Sequence, residues 1–214
     1  MGPAITELDV LHLGSVPYGA ALELQRELRD ARLAGRIGDL ALLLEHPDVV
    51  SFGRSSAPAE RARAAELRAL GYDVHEAERG GQATYHGPGQ LVGYLIADLS
   101  ARGRDVHRFL RALEQVVIET AADFGVRALQ REGFTGVWLD EHRKLASLGI
   151  GVRRWVTLHG FALNVCTDPR RAAAIAPCGF AGVQLASLSD ALGRRVEVGE
   201  VRPRVELHLN KILA

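Results

Sequence analysis

The spacing of apolar residues predicts alternating strands and helices in the first third of the chain. Residues 5–13 alternate loosely between apolar and polar and predict a first strand. Pro17 then opens a helix whose apolar positions share one face. Residues 39–52 predict a strongly apolar strand that is interrupted at residues 45–48, where Pro47 indicates a bend.

The middle of the chain alternates between short elements and one long helix. A short helix is predicted near residues 59–70, a short strand at residues 72–76 and a buried strand at residues 91–99. Asp105 is placed to cap a long amphipathic helix that Gly125 ends. The helix spacing of its apolar residues predicts that one face packs against a core.

The last third predicts hairpins and then helices. Residues 126–165 contain strand after strand, a pattern typical of antiparallel pairing. Two helices are predicted around residues 168–175 and 182–192, and residues 194–214 predict a short strand and a final helix. We therefore expect one α+β domain over residues 1–214, with a central, mostly antiparallel mixed sheet flanked by helices.

Composition excludes several classes of protein. Acidic and basic residues are equal, 26 of each, and no basic stripe is present, so a nucleic-acid partner is not expected. No apolar run reaches the length of a membrane span, so no membrane partner is expected either. The two cysteines, Cys166 and Cys178, have neither metal-ligand nor disulfide spacing. These features indicate a soluble cytoplasmic protein without a bound metal.

Residues 79–90 unite glycine-rich backbone with polar side chains, directly before the buried strand. Glycine lets a backbone adopt positive φ and lets a ligand approach closely, and Thr84 and His86 add exchangeable protons. This composition predicts the wall of a site. The alternative is a hairpin turn with a structural histidine.

Lysine use provides a second indication of chemistry. Of the 26 basic residues, 24 are arginine and only Lys144 and Lys211 are lysine. Arginine does not titrate in proteins, whereas a desolvated lysine can lose its proton and act as a base. Lys144 is thus a candidate catalytic group. The alternative is a compositional bias toward arginine that left one lysine there by chance.

Cys178 is the candidate nucleophile. Gly179 removes bulk beside its sulfur, Pro177 restricts the chain before it, and a helix N-terminus or a nearby cation would lower the pKa of the thiol. The alternative is a buried, inert thiol, and that interpretation is retained for Cys166.

Four separate motifs together resemble the signature of the lipoyl(octanoyl) transferases, in their order and spacing. They are RGGQATYHGPGQ at residues 79–90, KLASLG at 144–149, HGFALN at 159–164 and PCG at 177–179. The resemblance implies the fold of biotin and lipoate protein ligases. It implies transfer of octanoyl from acyl carrier protein, through a Cys178 thioester, to a lysine amine of a lipoyl domain, as the first step of endogenous lipoate biosynthesis.

The resemblance also implies roles for individual residues and partners. Cys178 would be the nucleophile and Lys144 its proton-transferring partner, with no cofactor beyond the carrier-borne octanoyl-phosphopantetheine. Acceptors would be lipoyl domains of 2-oxoacid dehydrogenase E2 subunits and the glycine-cleavage H protein. The implied substrate-binding residues are Arg79, Gly80, Gly81, Gln82, Ala83, Thr84, Tyr85, His86, Ser147, Leu148, Gly149, Gly160, Phe161 and Ala162.

Two other functions compete with this interpretation. An ATP-dependent lipoate or biotin ligase of the same fold would need nucleotide contacts and no nucleophilic cysteine, and PCG at residues 177–179 argues against it. A non-catalytic acyl-binding module would use Cys178 only to line a pocket. Lys144 argues against this module, because an apolar pocket has no use for a titratable amine.

Overall fold

The computed structural model describes residues 8–173 and 182–213 of the chain. The strands in that part are β1 Asp9–Ser15, β2 Leu40–Glu45, β3 Val49–Phe52, β4 Asp73–Glu76, β5 Thr84–His86, β6 Gln90–Ile96, β7 Leu129–Arg131, β8 Phe134–Trp138, β9 Arg143–Arg153, β10 Val156–Asn164 and β11 Gln184–Leu185. The helices are α1 Tyr18–Leu33, α2 Pro58–Ala62, α3 Ala64–Ala69, α4 Val106–Asp123, α5 Pro169–Ala172, α6 Leu188–Leu192 and α7 Val198–Leu213.

These strands form two sheets. The larger has eight strands in the order β1-β2-β6-β10-β9-β8-β7, with β11 pairing alongside β9. Only its β1–β2 and β9–β11 pairs are parallel, so the predicted mostly antiparallel mixed sheet is confirmed. The smaller sheet has the order β4-β3-β5, and the sequence did not predict it as a separate sheet.

The central strands β2, β6 and β10 of the large sheet are buried on both faces, which explains their continuous apolar runs. On β2, Leu40, Leu42 and Leu44 pack into one hydrophobic cluster together with residues of α1. Ala41 and Leu43 pack into a second cluster with α4 and α7 on the opposite face. Because successive side chains of a strand alternate between faces, one leucine-rich strand serves both cores.

The predicted bend at residues 45–48 is confirmed, and we call these residues the corner. The strands on its two sides, however, enter different sheets: β2 lies in the large sheet and β3 in the small one. The corner is held by buried polar contacts. His46 donates from Nδ1 to the Val16 carbonyl (2.6 Å) and accepts at Nε2 from the Tyr94 hydroxyl (2.7 Å), while Asp48 accepts from the Tyr85 hydroxyl (2.7 Å).

The long helix α4 follows the prediction. The Asp105 side chain accepts a hydrogen bond from the Arg108 amide (2.9 Å) and so satisfies one of the free N–H groups at the helix start. Leu113, Val116 and Val117 are fully buried on the face that packs against the large sheet. Across the described residues, no helix is both long enough and apolar enough to span a membrane.

Three boundary predictions were wrong. The predicted helix at residues 59–70 is two short helices, α2 and α3. The predicted helix at 182–192 begins as strand β11, because the Ser187 and Asp190 side chains cap helix α6 and fix its start near residue 188. The short strand predicted at the start of residues 194–214 does not form, because the Glu197 amide donates to the Glu200 carboxylate (2.8 Å) and thereby caps the start of α7.

Candidate active site

A cleft of about 860 Å³ lies between the two sheets. One wall comes from the small sheet, through β5 and the loop that precedes it. The other comes from β8 and β9 of the large sheet, and α5 together with residues 183–185 borders the cleft. The residues that line it are Arg79, Gly81, Gln82, Ala83, Thr84, Tyr85, Gln90, Gly133, Phe134, Thr135, Lys144, Ser147, Leu148, Pro169, Ala172, Ala173, Val183, Gln184 and Leu185.

Two of the motifs that stand apart in the sequence are direct neighbours in the large sheet. Strands β9 and β10 pair antiparallel, and their register sets Gly160 opposite Gly149. The neighbouring pairs in the same ladder are Phe161 with Leu148 and Ala162 with Ser147. Side chains directly opposite each other in antiparallel strands lie close together, so KLASLG and HGFALN build one continuous surface.

An inner cavity of about 20 Å³, the size of one water molecule, adjoins the cleft. Arg79, Thr84, Ser147 and Leu148 line both spaces. The remaining lining residues of the inner cavity are His86, Tyr94, Gly149, His159, Gly160, Phe161 and Ala162. The inner cavity therefore adjoins the cleft on the side of the β6–β10 part of the large sheet.

Glycine is required at Gly160 because two strands approach there. A Cβ at Gly160 would collide with the Gly93 carbonyl oxygen of β6, and rotation of a side chain cannot relieve this collision, since it involves backbone. At the neighbouring Gly149, a Cβ would make a tight contact of 3.1 Å with the Gly80 carbonyl oxygen. Both glycines line the inner cavity, so its wall at this point is backbone without a side chain.

The predicted substrate-binding residues converge on this site. All of them except Gly80 line the cleft or the inner cavity, as does the predicted catalytic Lys144. Gly80 instead donates its amide to the Ile150 carbonyl of β9 (3.0 Å), and so joins the glycine-rich loop to the large sheet. Part of the loop is itself a strand, β5, which the sequence did not predict.

Arg79 is a buried cation that is bonded to neutral acceptors. Its Nη1 donates to the Gly80 and Gln82 carbonyls (3.1 and 2.8 Å), and Nη2 donates to the Ser51 carbonyl and hydroxyl (2.7 and 2.8 Å). Burial lowers the pKa of its guanidinium. The fork of donors therefore fixes the glycine-rich loop against β3, and it leaves a positive charge at the base of the cleft.

The two histidines of the inner cavity are neutral near pH 7. His86 donates from Nδ1 to the Gln90 side chain (2.8 Å), and burial lowers its pKa well below the ordinary value. Burial and the charge of Arg79 lower the pKa of His159 to about 3. His159 also has positive φ (61°), and its amide donates to the Gln25 side chain (2.8 Å). Neutral imidazoles can border an apolar chain without the penalty of a desolvated charge.

Lys144 lies on β9, with its ammonium group inside the cleft. Its Nζ lies 5.2 Å from the centre of the Trp138 ring, and no carboxylate among the described residues lies within ion-pair distance of it. Burial and then the charge of Arg79 lower the pKa of Lys144 to about 8, while Glu114 acts in the opposite direction. An amine with this pKa exchanges its proton readily near physiological pH.

Cys178 lies outside the described residues. Ala173, the last described residue before its segment, lines the cleft, and so does Val183, the second described residue after it. Cys166 follows β10, is partly exposed and borders neither space. Burial raises the pKa of the Cys166 thiol, which is the opposite of what a nucleophilic cysteine requires.

Several residues of the site were missed by sequence reasoning. Phe134 and Thr135 of β8 face the cleft, although neither belongs to a glycine-rich or reactive motif. Tyr94 of β6 lines the inner cavity and was interpreted only as part of a buried strand. Its phenol in an otherwise aliphatic strand was the available signal, because a buried tyrosine hydroxyl needs a polar partner.

Comparison with known proteins places this geometry in a family. Residues 17–210 match the lipoyl protein ligase A/B catalytic domain. An octanoyltransferase from Geobacter metallireducens is 48% identical over 193 residues, which cover 90% of this chain and 87% of the relative.

Solved structures agree on the fold. The crystal structure of lipoate-protein ligase A bound with ATP superposes with a TM-score of 0.78 at 17% identity, covering 97% of this chain and 86% of the other. The biotin protein ligase from Aquifex aeolicus gives a TM-score of 0.56 at 11% identity, over 97% of this chain and 70% of the other. The predicted biotin/lipoate ligase-like α+β fold is confirmed. The chain belongs to the lipoyl protein ligase A/B catalytic domain family and, within it, to the octanoyltransferases.

Proposed function

We propose that this enzyme takes an octanoyl group from the phosphopantetheine thioester of an acyl carrier protein, holds it on Cys178 and passes it to a lysine amine of a lipoyl domain. The high identity to an octanoyltransferase over most of both chains supports octanoyl transfer. The observation that carries the proposal furthest is Lys144, which lies in the cleft built by the motif residues with its pKa lowered to about 8.

In the first half-reaction, the Cys178 thiolate attacks the carbonyl carbon of the octanoyl thioester. A new carbon–sulfur bond forms, the bond to phosphopantetheine breaks, and the departing thiolate takes up a proton. Lys144 in its cationic form would favour the Cys178 thiolate beforehand. One thioester replaces another of similar energy, so the step needs no further activation.

In the second half-reaction, the acceptor amine attacks the thioester on Cys178. A lysine amine with a pKa of about 10.4 is neutral only about 0.04% of the time at pH 7, which costs roughly 4.7 kcal/mol. Neutral Lys144 would accept a proton from that amine as the carbon–nitrogen bond forms. It would return the proton to the Cys178 sulfur as the carbon–sulfur bond breaks, and the product is an amide.

The shape of the site supports an acyl chain directed away from Lys144 toward the inner cavity. Gly149 and Gly160 contribute bare backbone to the inner cavity, and Leu148 and Phe161 supply apolar surface beside it. Each methylene that leaves water for this surface contributes about 0.8 kcal/mol. His86 and His159, which are neutral and line the inner cavity, are compatible with that burial.

The proposal extends to partners, cofactors and location. Acceptors are lipoyl domains of 2-oxoacid dehydrogenase E2 subunits and the glycine-cleavage H protein, and the donor is octanoyl-acyl carrier protein. Neither nucleotide nor metal is required, because the thioester is already activated. The cytoplasm is the proposed location, since a reducing compartment keeps the Cys178 thiol free.

Intact-protein mass spectrometry after incubation with octanoyl-acyl carrier protein, without ATP, tests the proposal. We expect one octanoyl adduct on the parent enzyme, mapped by peptide digestion to Cys178. Cys178→Ala should give no adduct, and Cys166→Ala is the matched control that should behave like the parent.

Three results would overturn the assignment. The first is an adduct on Cys166, and the second is turnover that persists without Cys178. The third is modification of a lipoyl domain only when free octanoate and ATP are supplied, which would identify a ligase.

A further inference from the structure

Glu114 is a fully buried carboxylate on the sheet-facing side of α4, close to the candidate active site. A glutamate without exposure is rare in proteins, because a desolvated negative charge is costly unless it is paired. Neither half-reaction described above uses it. Its burial therefore needs a separate explanation.

The two carboxylate oxygens of Glu114 have different partners. Oε1 accepts a hydrogen bond from the backbone amide of Gly136 in β8 (2.8 Å). Oε2 accepts from Nη1 of Arg111, one turn earlier on the same helix (2.6 Å), and Arg111 is itself partly exposed. Arg111 thus neutralises the charge of Glu114 from the solvent side, while Oε1 of Glu114 fixes the backbone of β8.

The end of the Lys144 side chain packs against Gly136. A Cβ at Gly136 would lie 2.5 Å from Lys144 Cε and 3.1 Å from Nζ. Gly136 also has a φ of 138°, a conformation that other residues rarely adopt. The amide of this residue faces Glu114, so Glu114 anchors the backbone against which Lys144 packs.

The pairing of β8 with β9 is irregular at the same place. Val137 pairs with Ala146 and Trp138 pairs with Lys144, so Leu145 is an extra residue on β9. Such a bulge re-aims the neighbouring side chain. The bulge, Gly136 and Trp138 together direct the Lys144 ammonium into the cleft.

We propose that Glu114 is a positioning residue for Lys144, acting through the Gly136 amide and through its own buried negative charge. The inference rests on the proposed role of Lys144 in proton transfer and adds the group that sets its position and protonation. Glu114 favours the ammonium form of Lys144, whereas burial and Arg79 favour the neutral amine. The balance between these influences keeps both forms accessible to the two half-reactions.

The chain offers an unusually direct measurement, because it contains only two lysines. Protein labelled with ¹³C at lysine Cε gives one signal from Lys144 and one from Lys211, and Lys211→Arg assigns them. An NMR titration of the Lys144 signal then reports its pKa without any substrate. We expect a midpoint near 8 for the parent protein.

Three substitutions on α4 separate the contributions. Glu114→Gln keeps an acceptor for the Gly136 amide and removes the charge, so the Lys144 midpoint should fall below that of the parent. Arg111→Gln keeps Glu114 and removes its counterion, so the midpoint should rise. Glu119→Gln removes a carboxylate that bonds only Gln115 on the same helix, and it should leave the midpoint unchanged.

A folded Glu114→Gln protein whose Lys144 midpoint equals that of the parent would overturn the proposal. Folding is judged by the cooperativity of thermal unfolding. If Glu114→Gln does not fold, Arg111→Gln decides instead, and an unchanged midpoint there would overturn the proposal. Since the titration needs no octanoyl donor, its outcome is independent of whether Cys178 carries an acyl group.

Discussion

Arg79 and Lys144 stand on opposite walls of the cleft, Arg79 on the side of the small sheet and Lys144 on the large sheet. Both are cations without a carboxylate partner among the described residues. Arg79 is bonded through both Nη atoms to backbone and hydroxyl oxygens, whereas Lys144 rests on a glycine and an aromatic ring. The hydrogen bonds of Arg79 hold its charge in one place, whereas the surroundings of Lys144 allow its ammonium to lose a proton.

The comparison shows why one position has arginine and the other lysine. A guanidinium keeps its proton even when buried and satisfies several carbonyls at once. An ammonium in similar surroundings becomes acidic. Because the pKa of Lys144 falls from 10.5 to about 8, the unfolded chain binds more protons between these values, and stability should rise with pH across that window. Below pH 8, the buried charge of Lys144 lowers the free energy of unfolding by at most roughly 3 kcal/mol, because solvent near the ammonium reduces the penalty.

The largest effect is expected when Lys144 is replaced by a residue that does not titrate, as Arg79 does not. Lys144→Arg keeps the charge and loses titration, so transfer of octanoyl from the acyl-enzyme to a lipoyl domain should slow by about 100-fold or more. Lys144→Ala should be about equally damaging. Single-turnover kinetics with preformed acyl-enzyme measure this step, and Lys211→Arg provides the same substitution at an exposed position. An Arg variant with most of the parent rate would reduce Lys144 to an electrostatic anchor.

The reciprocal exchange should affect folding. Arg79→Lys keeps the charge and loses the fork that joins the Gly80 and Gln82 carbonyls to Ser51, so we expect a loss of about 2–3 kcal/mol in the free energy of unfolding. Urea denaturation measures it. Arg54→Lys, at an exposed position, should change stability by less than about 0.5 kcal/mol. If both variants lost equal stability, the buried fork would have no special role.

The dependence of kcat/KM on acyl chain length tests how much of the chain is buried between the two sheets. Hexanoyl has two methylenes fewer than octanoyl, so kcat/KM should fall about fifteen-fold, the equivalent of roughly 1.6 kcal/mol. Longer chains should gain only until they meet the packed end at the inner cavity, where overpacking reverses the gain. Carrier proteins with acyl chains from six to sixteen carbons provide the series. A flat profile would mean that the chain stays in solvent.

The smallest expected effect is the pH dependence of the second half-reaction. The neutral fraction of Lys144 increases as pH rises toward its pKa of about 8 and then levels off. Lys144 should therefore contribute about ten-fold per pH unit below that value and nothing above it. The logarithm of the single-turnover rate should lose one unit of slope near pH 8. A profile that stays straight through pH 8 would contradict a general base on this wall.

The elements with strong periodicity were predictable from sequence, and the small sheet was not. Helix α4 shows a clear helical period, and β6 and β10 are long apolar runs. Strand β5 has three residues, Thr84–His86, within a glycine-rich stretch, and its apolar content is too low to reveal pairing with β3. The division of residues 39–52 between two sheets depends on long-range packing, which a local pattern does not contain.

The site followed the same division. Motif residues were recognised because glycine is dense within residues 79–90, lysine is rare in the chain, and four motifs together resemble one family signature. Phe134, Thr135 and Glu114 carry no such signal, since each fits an ordinary strand or helix. The register of β8 against β9 brings Phe134 and Thr135 to the cleft, and the packing of α4 against the large sheet brings Glu114 to the Gly136 amide. Tertiary placement, and not residue type, gives them their roles.

The corner between β2 and β3 has a mechanical consequence. Its polar side chains form hydrogen bonds with the start of α1, the middle of β6 and strand β5. These bonds hold the small sheet against the large sheet where the two join. Spreading the sheets would break several buried hydrogen bonds at once. The corner therefore fixes the distance between the two sheets where they join. Because β2 and β3 are almost entirely buried, we expect their amides to be among the slowest of the described residues to exchange with solvent.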